Sequence, residues 1–302
     1  MTFQQKYIEI LDVVKEEIEQ VLNELTNGVD VQEPLKTKLF DFLNAPAKHI
    51  RPLVSFLYLK ASGADIDEKQ ILFQAAIELV HNASLIHDDV IDESITRRGE
   101  KSLNSEFGNK MAVISGDYLL SCALNKVIKI GSIELIQMMS DTLEVMSKGE
   151  VSQHFGKFNI PTIEEYIEKS AQKTAKLFET ALCGSLIIKN ISPLPMGEGA
   201  VAQAKRVTNA GEGLKFARNF GVAFQIRDDL INCKTSQTDI KDGIYTAPVI
   251  FAGGLDNLGY GIEKTQTLLN NYIDKALNEL ENIEENKYKT GLKELLGLLK
   301  NE

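Results

Sequence analysis

Apolar residues recur along this chain at spacings of three and four, the period of a helix with one buried stripe. Between residues 7 and 25 the positions Ile8, Leu11, Val14, Ile18, Val21 and Leu25 predict an amphipathic helix, and Leu269, Tyr272, Ala276, Leu280 and Ile283 repeat the pattern near the C-terminus. A denser run, Ile71, Leu72, Ala75, Ala76, Leu79, Val80, Ala83 and Ile86, predicts a helix that is mostly buried, and a similar run begins at Leu214. Strand-like alternation is sustained nowhere. The seven prolines fall at breaks in the helical pattern. The clearest loop is the Ser-Pro-Leu-Pro-Met-Gly-Glu-Gly run at residues 192–199, which is too short to act as a domain linker. No tract is of low complexity and none repeats at a fixed period. The expectation is one all-α domain spanning residues 1–302.

Carboxylates interrupt the two densest apolar runs. Residues 87–92 read His-Asp-Asp-Val-Ile-Asp, and helical spacing puts Asp88 and Asp92 one turn apart on a common face, with Asp89 beside them. Residues 224–232 read Phe-Gln-Ile-Arg-Asp-Asp-Leu-Ile-Asn, where Gln225, Asp228 and Asp229 share a face. Anions packed together in an apolar setting repel one another and resist desolvation. A divalent cation with oxygen ligands is the simplest partner for them. Two such clusters facing each other would form a metal-lined cavity able to bind a phosphate-bearing substrate through Mg2+.

Composition narrows the class without naming a chemistry. The chain has 302 residues, 43% hydrophobic and 25% charged, ordinary for a soluble globular protein. A net charge of -10 argues against nucleic acid as a partner, which needs a basic face. Three scattered cysteines, Cys122, Cys183 and Cys233, lack metal-ligand spacing and read as reduced thiols in a cytoplasmic protein. The first residues carry no apolar signal region, and no stretch approaches about 20 apolar residues, so no membrane span is expected. An apolar substrate would still bring the protein to a membrane surface transiently.

The ordered set of motifs resembles the trans-type (E-type) polyprenyl diphosphate synthases. The resemblance runs from about Lys48 to Phe251 and is strongest from His81 through the aspartate cluster to Arg97-Arg98-Gly99. It continues through Gly108-Asn109, residues 112–117, Gly149-Glu150, Lys173-Thr174-Ala175 and residues 224–229, and ends at Asp239, Gly243 and Thr246-Ala-Pro-Val249. A lone Asp-Asp-x-x-Asp is a weak signal, whereas this series in this order is a specific one.

The resemblance implies a large bundle of antiparallel helices around a deep central cavity, assembled as a homodimer. It implies two or three Mg2+ ions held by Asp88, Asp92 and Asp228, with Asp89 and Asp229 in support. It assigns isopentenyl diphosphate to Lys48, Arg51, His81 and Arg98, and an allylic prenyl diphosphate to Arg97, Lys173, Thr174 and Gln225. Arginine forks suit phosphate oxygens and lysine adds a point charge, so these residue types fit that role. The implied reaction is ionisation of the allylic diphosphate, attack by isopentenyl diphosphate and loss of a proton, repeated on the lengthening chain. Ala83 and Ser84, one turn before Asp88, would form the first floor of a product tunnel. Both are small, so a long product of the octaprenyl or solanesyl class is expected. A floor contributed from near Ser115, Leu119 or Cys122 is the other option.

The chain also departs from the pattern. The second motif ends in Asn232 rather than aspartate, and the loop after it is short. A lysine expected before the Thr-Ala-Pro element is replaced by Ile244. The allylic diphosphate thereby loses up to two cations, for which Lys234 or Lys241 are the compensating candidates. These departures keep two alternatives in view: a weakly active or inactive subunit of a heteromeric synthase, and a class I terpene cyclase. The intact isopentenyl diphosphate set argues against both.

Overall fold

A computed structural model describes residues 3–191 and 200–300, so the loop expected at 192–199 lies outside the described residues. Fifteen α-helices, one π-helical turn and one two-stranded hairpin are described. The architecture is the all-α bundle expected from the periodicity.

The central element is α5 (Glu68–Ile91). It starts at a capping box, in which Asp67 accepts from the Gln70 backbone N–H while the Gln70 side chain accepts from the Asp67 N–H. It is buried on most sides, as the dense apolar run requires. α5 packs along α7 (Asn109–Ile130) and against α2 (Lys15–Thr26), α4 (Ile50–Ala61) and α10 (Lys176–Ile191). α7 turns into α8 (Ile133–Phe155) through Gly131 in the left-handed region and the N-cap Ser132, a connection short enough to make the two helices antiparallel neighbours. On the other side, α11 (Ala200–Lys234) packs against α10, α14 (Leu258–Asn278) and the π-helical turn Ala171–Ala175.

Two details differ from the sequence expectation. The helix expected over residues 7 to 25 is two helices, α1 (Phe3–Asp12) and α2, because the chain turns out of helical geometry at Val14. The break lets Val14 sit fully buried. In addition, α7 is long and apolar enough to cross a membrane by length and composition, contrary to the expectation that no stretch would be. It instead buries Ala112, Ser115, Gly116, Leu119, Ala123 and Val127, and α5 is its main partner. Small residues at 112, 115, 116 and 123 let the two backbones approach.

The arginines that follow α5 stand on a hairpin too short for period-two reading to find. Strands β1 (Thr96–Arg97) and β2 (Glu100–Lys101) pair antiparallel, and Arg98 and Gly99 between them both have positive φ. Two left-handed residues in a two-residue loop define a tight primed turn, for which glycine at the second position is suited.

Candidate active site between α5 and α11

The end of α5 faces the end of α11 across a cavity of about 480 Å³. Asp88 lines it from α5, and Asp228 and Gln225 line it from α11. Arg51 comes from the first turn of α4, His81 and Ser84 from α5, and Lys173 and Thr174 from the π-helical turn. The rest of the lining is largely apolar and includes Val80, Leu85, Leu120, Leu143, Met146 and Phe224. A second cavity of about 160 Å³ shares Lys173, Thr174 and Gln225 with the first. Asp92, Asp229, Asp239 and Asp242 line it, with Lys169 and Ile244.

The π-helical turn is the local device that aims Lys173 and Thr174. It inserts an extra residue between α9 (Ile163–Ser170) and α10, a distortion found most often at functional sites. α11 comes so close to this turn that a Cβ on Gly221 would lie 2.5 Å from the Ala175 Cα, so a larger residue there would push the helix away. Thr174 then donates to the Gln225 carbonyl oxygen at 2.5 Å, and Gln225 donates to Asp229 at 2.7 Å. Tyr166 donates to the other Asp229 oxygen at 2.6 Å. Asp229 therefore has both oxygens engaged by protein donors. Burial nevertheless pushes its carboxyl up to about 7, against the lowering effect of those two hydrogen bonds.

The carboxylates at the mouth are poorly solvated. Burial raises Asp88 to about 6, and Glu150 and Asp92 add to the rise, while Lys173 and Arg97 oppose it. Asp92, Asp228 and Asp239 are raised for the same first reason. Lys173 is held above the usual lysine range because Asp88, Glu150 and Asp92 outweigh its own desolvation, and its ammonium meets Glu150 at 2.5 Å. Anions in this condition are chemically ready for a cation. Among the described residues, however, no three His, Cys, Asp or Glu side chains gather into a metal site of their own. The carboxylates are spread along the mouth. A cation held here would complete its oxygen shell with substrate or water.

A cluster of nitrogen-bearing side chains, Arg51, Arg98, His49 and Arg97, surrounds His81. Arg51 is buried, its guanidinium 4.9 Å from the Phe178 ring centre and its Nε without a hydrogen-bond partner. Arg98 donates to the Phe42 carbonyl at 3.3 Å and stacks on the Phe42 ring. His49 meets the buried Glu78 at 2.8 Å. His81 is held well below the ordinary histidine range, first by burial and then by Arg51 and Arg98, so it is a neutral imidazole. Arg97 pairs with Asp89 through two nitrogens, one at 2.9 Å.

Several expected residues are placed differently. Asp89 faces Arg97 and lines neither cavity, so it orients the arginine and does not face the mouth directly. Asp92 is the C-cap residue of α5, its backbone N–H on the Asp88 carbonyl, and lines the second cavity. Lys48, Arg97 and Arg98 line neither cavity, although Lys48 is close enough to pull down Asp228. Ala83 is fully buried against the core, and Ser84 alone of the expected floor pair lines the cavity. The side chains of a helix point in turn to different faces, and Val80, Ser84 and Asp88 share the cavity face at spacings of four. Ser115 and Leu119 are buried and Cys122 is not a lining residue; the α7 contribution is Leu120, with Leu143 and Met146 from α8. Asn232 donates to Thr238 at 2.7 Å and accepts from the Asp239 backbone N–H, which ties it to α12 (Thr238–Lys241). Lys234 and Lys241 line neither cavity.

Sequence reasoning passed over Lys169, Asp242 and Tyr166, and gave Glu150 and Asp239 no role. Tyr166, Lys169 and Lys173 stand at helical spacings of three and four, the signal that would have placed them on one face.

A helical bundle closed around an apolar cavity, with acid residues at the ends of two facing helices, defines the isoprenoid synthase class. Residues 32–287 match the family described as polyprenyl synthetase, and the chain belongs to that family. With that membership it is a prenyl-group transferase. It is 33% identical over 283 residues to a prenyl transferase of Cyanidium caldarium, covering 89% of this chain and 82% of that one. It is 26% identical over 328 residues to the chloroplastic solanesyl diphosphate synthase 1 of Arabidopsis thaliana, covering 96% and 77%. In fold it is similar to a polyprenyl synthase from Caulobacter crescentus CB15 complexed with calcium and isoprenyl diphosphate, with a TM-score of 0.85, 21% identity and 98% of each chain covered.

Proposed function

We propose that this chain condenses isopentenyl diphosphate with an allylic prenyl diphosphate and extends the product repeatedly to a long polyprenyl diphosphate. One observation carries the proposal: a mostly apolar cavity has two aspartates, Asp88 and Asp228, at the ends of two different helices and Arg51 and Lys173 beside them. That is the polarity of a molecule with an anionic head and a hydrocarbon tail. The reading treats residues 1–302 as one all-α unit.

The donor set fits divalent cations, since raised, desolvated carboxylates are stabilised by a metal as much as by a proton. Asp88, Asp92 and Asp228 would hold two or three Mg2+ ions, which as Lewis acids take up charge on the leaving diphosphate. Lys173 stands beside Asp88 and contributes a fixed cation to the same leaving group, with Thr174 and Gln225 as its polar neighbours. When the allylic C–O bond breaks, its electron pair stays on the diphosphate. The π electrons of isopentenyl diphosphate then form the new carbon–carbon bond. The proton lost afterwards goes to the released pyrophosphate, so no dedicated protein base is needed. Arg51 binds the isopentenyl diphosphate head, its unpartnered Nε supplying a donor, and His81, Lys48 and Arg98 complete that pocket. Arg97, oriented by Asp89, contributes toward the allylic diphosphate. The growing chain runs past Ser84 toward Leu120, Leu143 and Met146.

The working form is a homodimer. Val113, Ile114, Ile128 and Ile133 are exposed on α7 and at the start of α8, an apolar surface that a second copy would cover. The enzyme works in the cytoplasm and meets a membrane only to release its product. The test is incubation of the purified protein with farnesyl or geranylgeranyl diphosphate, labelled isopentenyl diphosphate and Mg2+, followed by product sizing by mass spectrometry. Long-chain polyprenyl diphosphates are expected. No product from the purified homodimer would overturn the proposal in favour of a heteromeric subunit, and a cyclised hydrocarbon in favour of a cyclase.

A further inference from the structure

The second cavity holds a mismatch. Asp92, Asp229, Asp239 and Asp242 line it, while the cations that sequence reasoning offered for this side do not. Lys234 is exposed, and Lys241 donates to the Ser236 carbonyl at 3.0 Å. Ile244, where a lysine was expected, is part of the lining and brings only hydrocarbon. The cation present there beside Lys173 is Lys169, four residues before it on the same helical face and lining the cavity together with Ile244.

Lys169 is not consumed by the protein. It is partly buried, yet among the described residues its ammonium makes no hydrogen bond and no ion pair. Asp229 attracts it, but both Asp229 oxygens are already engaged by Tyr166 and Gln225. Asp239 attracts it as well, from beyond ion-pair distance. Burial, with the like charge of Lys173, outweighs these attractions and lowers the lysine from its ordinary value, the condition of an ammonium that lacks an anion of its own. Three unfilled N–H donors lining a cavity beside Lys173 suit a multiply charged oxyanion.

We infer that Lys169 binds the diphosphate of the allylic substrate, supplying from α9 the positive charge that Ile244 does not supply to this cavity. The inference rests on the prenyl-transfer reading and deepens it. Lys169 and Lys173 then close on the diphosphate from one face, while Arg51 and Arg98, with the neutral His81, are left to isopentenyl diphosphate.

The experiment is steady-state kinetics with each substrate varied in turn, for the full chain and for Lys169→Met, Lys169→Arg, Ile244→Lys and the double variant Lys169→Met/Ile244→Lys. Lys241→Met serves as the control. Lys169→Met is expected to raise the allylic KM about 10- to 100-fold, the value of one charge-assisted contact, with the isopentenyl diphosphate KM changed by less than about threefold. Lys169→Arg keeps the charge and stays within about tenfold of the parent. The double variant recovers most of the loss, which a merely structural lysine on α9 would not allow. Calorimetry with inorganic pyrophosphate as the probe is expected to follow the same order without turnover, and so reads any variant that is inactive but folded. If the parent chain makes no polyprenyl product, the proposed function fails. If it makes product and Lys169→Met leaves the allylic KM unchanged, or raises both KM values equally, the inference fails alone.

Discussion

The two acid rims of the cavity are built differently. At the end of α5, the charges of the first motif lie within one short stretch, Asp88, Asp89 and Asp92, then Arg97 and Arg98 on the hairpin that follows, while Glu150 and Lys173 reach Asp88 from elsewhere in the chain. Each side chain of that stretch is placed by its neighbours in sequence, by the helix, its C-cap or the tight turn. At the end of α11, the rim is assembled from four places. Asp228 and Asp229 come from α11, Asp239 from α12, Asp242 from the turn after it, and Lys169 from α9. Asn232, the third member of that motif by position, is bound to Thr238 and Asp239 and has become part of the support for α12. A rim written contiguously can lose no member without losing its geometry. A rim written across several elements can exchange members while the cavity keeps its charge.

The difference is sharpest in Asp88 against Asn232. Asp88→Asn removes a carboxylate that faces the cavity and has Lys173 as its main attracting charge. With a metal ion's contribution to the departing diphosphate weakened, kcat should fall about 10³-fold. Product formation at saturating concentrations of both substrates checks this. A loss smaller than tenfold would mean that the contiguous rim is as tolerant as the dispersed one.

Ser84→Phe comes next, and it separates two neighbours on one helix. Ser84 lines the cavity, so a phenyl ring there should block the tunnel and shift the main product to a chain shorter by two or more isoprene units. Ala83→Phe should not behave this way. Ala83 is fully buried against the core, and a phenyl ring in that space would destabilise the protein by about 1–3 kcal/mol or more. Mass spectrometry of the products and thermal unfolding of both variants distinguish a tunnel residue from a packing residue.

How much of this was legible in the chain follows the same division. The all-α architecture could be read because the three-and-four spacing is a local property, and Asp88 and Asp92 could be placed on one face of α5 for the same reason. Of the expected floor pair, Ser84 lines the cavity and Ala83 faces the core, a difference of about 100° around the helix that local spacing alone did not resolve. Lys169 could not be picked out for a different reason. Nothing near it in sequence shows that Ile244 stands in the same cavity wall, 75 residues later by number (244 − 169). Long-range complementarity of that kind exists only once α9 and the segment after α12 are folded together. The break at Val14 and the two-residue strands at 96–101 were missed because they are shorter than the periods used to detect them.

A smaller effect tests the electrostatic state of both rims together. Asp88 and Asp229 bind protons at about 6 and about 7 in the folded protein, against about 4 for an unfolded aspartate. Between those values the folded state holds more protons than the unfolded chain, so the stability of the metal-free protein falls as pH rises from about 4 to about 7. The Tm of the metal-free protein should therefore be higher at pH 5 than at pH 8, and Asp88→Asn should reduce that difference by at least about 2 °C. Adding Mg2+ at pH 8 should restore stability to the parent by binding the folded state, and less so to Asp88→Asn. A Tm that rises with pH across this window would show that the carboxylates are not held in the desolvated state described.

The smallest expected change concerns Asn232→Asp, which restores a carboxylate to the position where the motif has lost one. If the dispersed rim were simply a damaged copy of the contiguous one, this substitution would repair it. The geometry argues otherwise. The Asn232 side chain is directed at Thr238 and the Asp239 backbone and lines neither cavity. A carboxylate there can still accept from the Thr238 hydroxyl and from the Asp239 N–H, so the support for α12 survives and the new charge remains outside the diphosphate site. Effects of this size on a partly exposed polar contact stay within about 0.5 kcal/mol, or roughly twofold in rate. kcat and the Mg2+ concentration for half-maximal activity should both remain within that range. A tenfold gain in either would show that residue 232 can swing into the cavity, and that the charge of this rim has been reduced rather than redistributed.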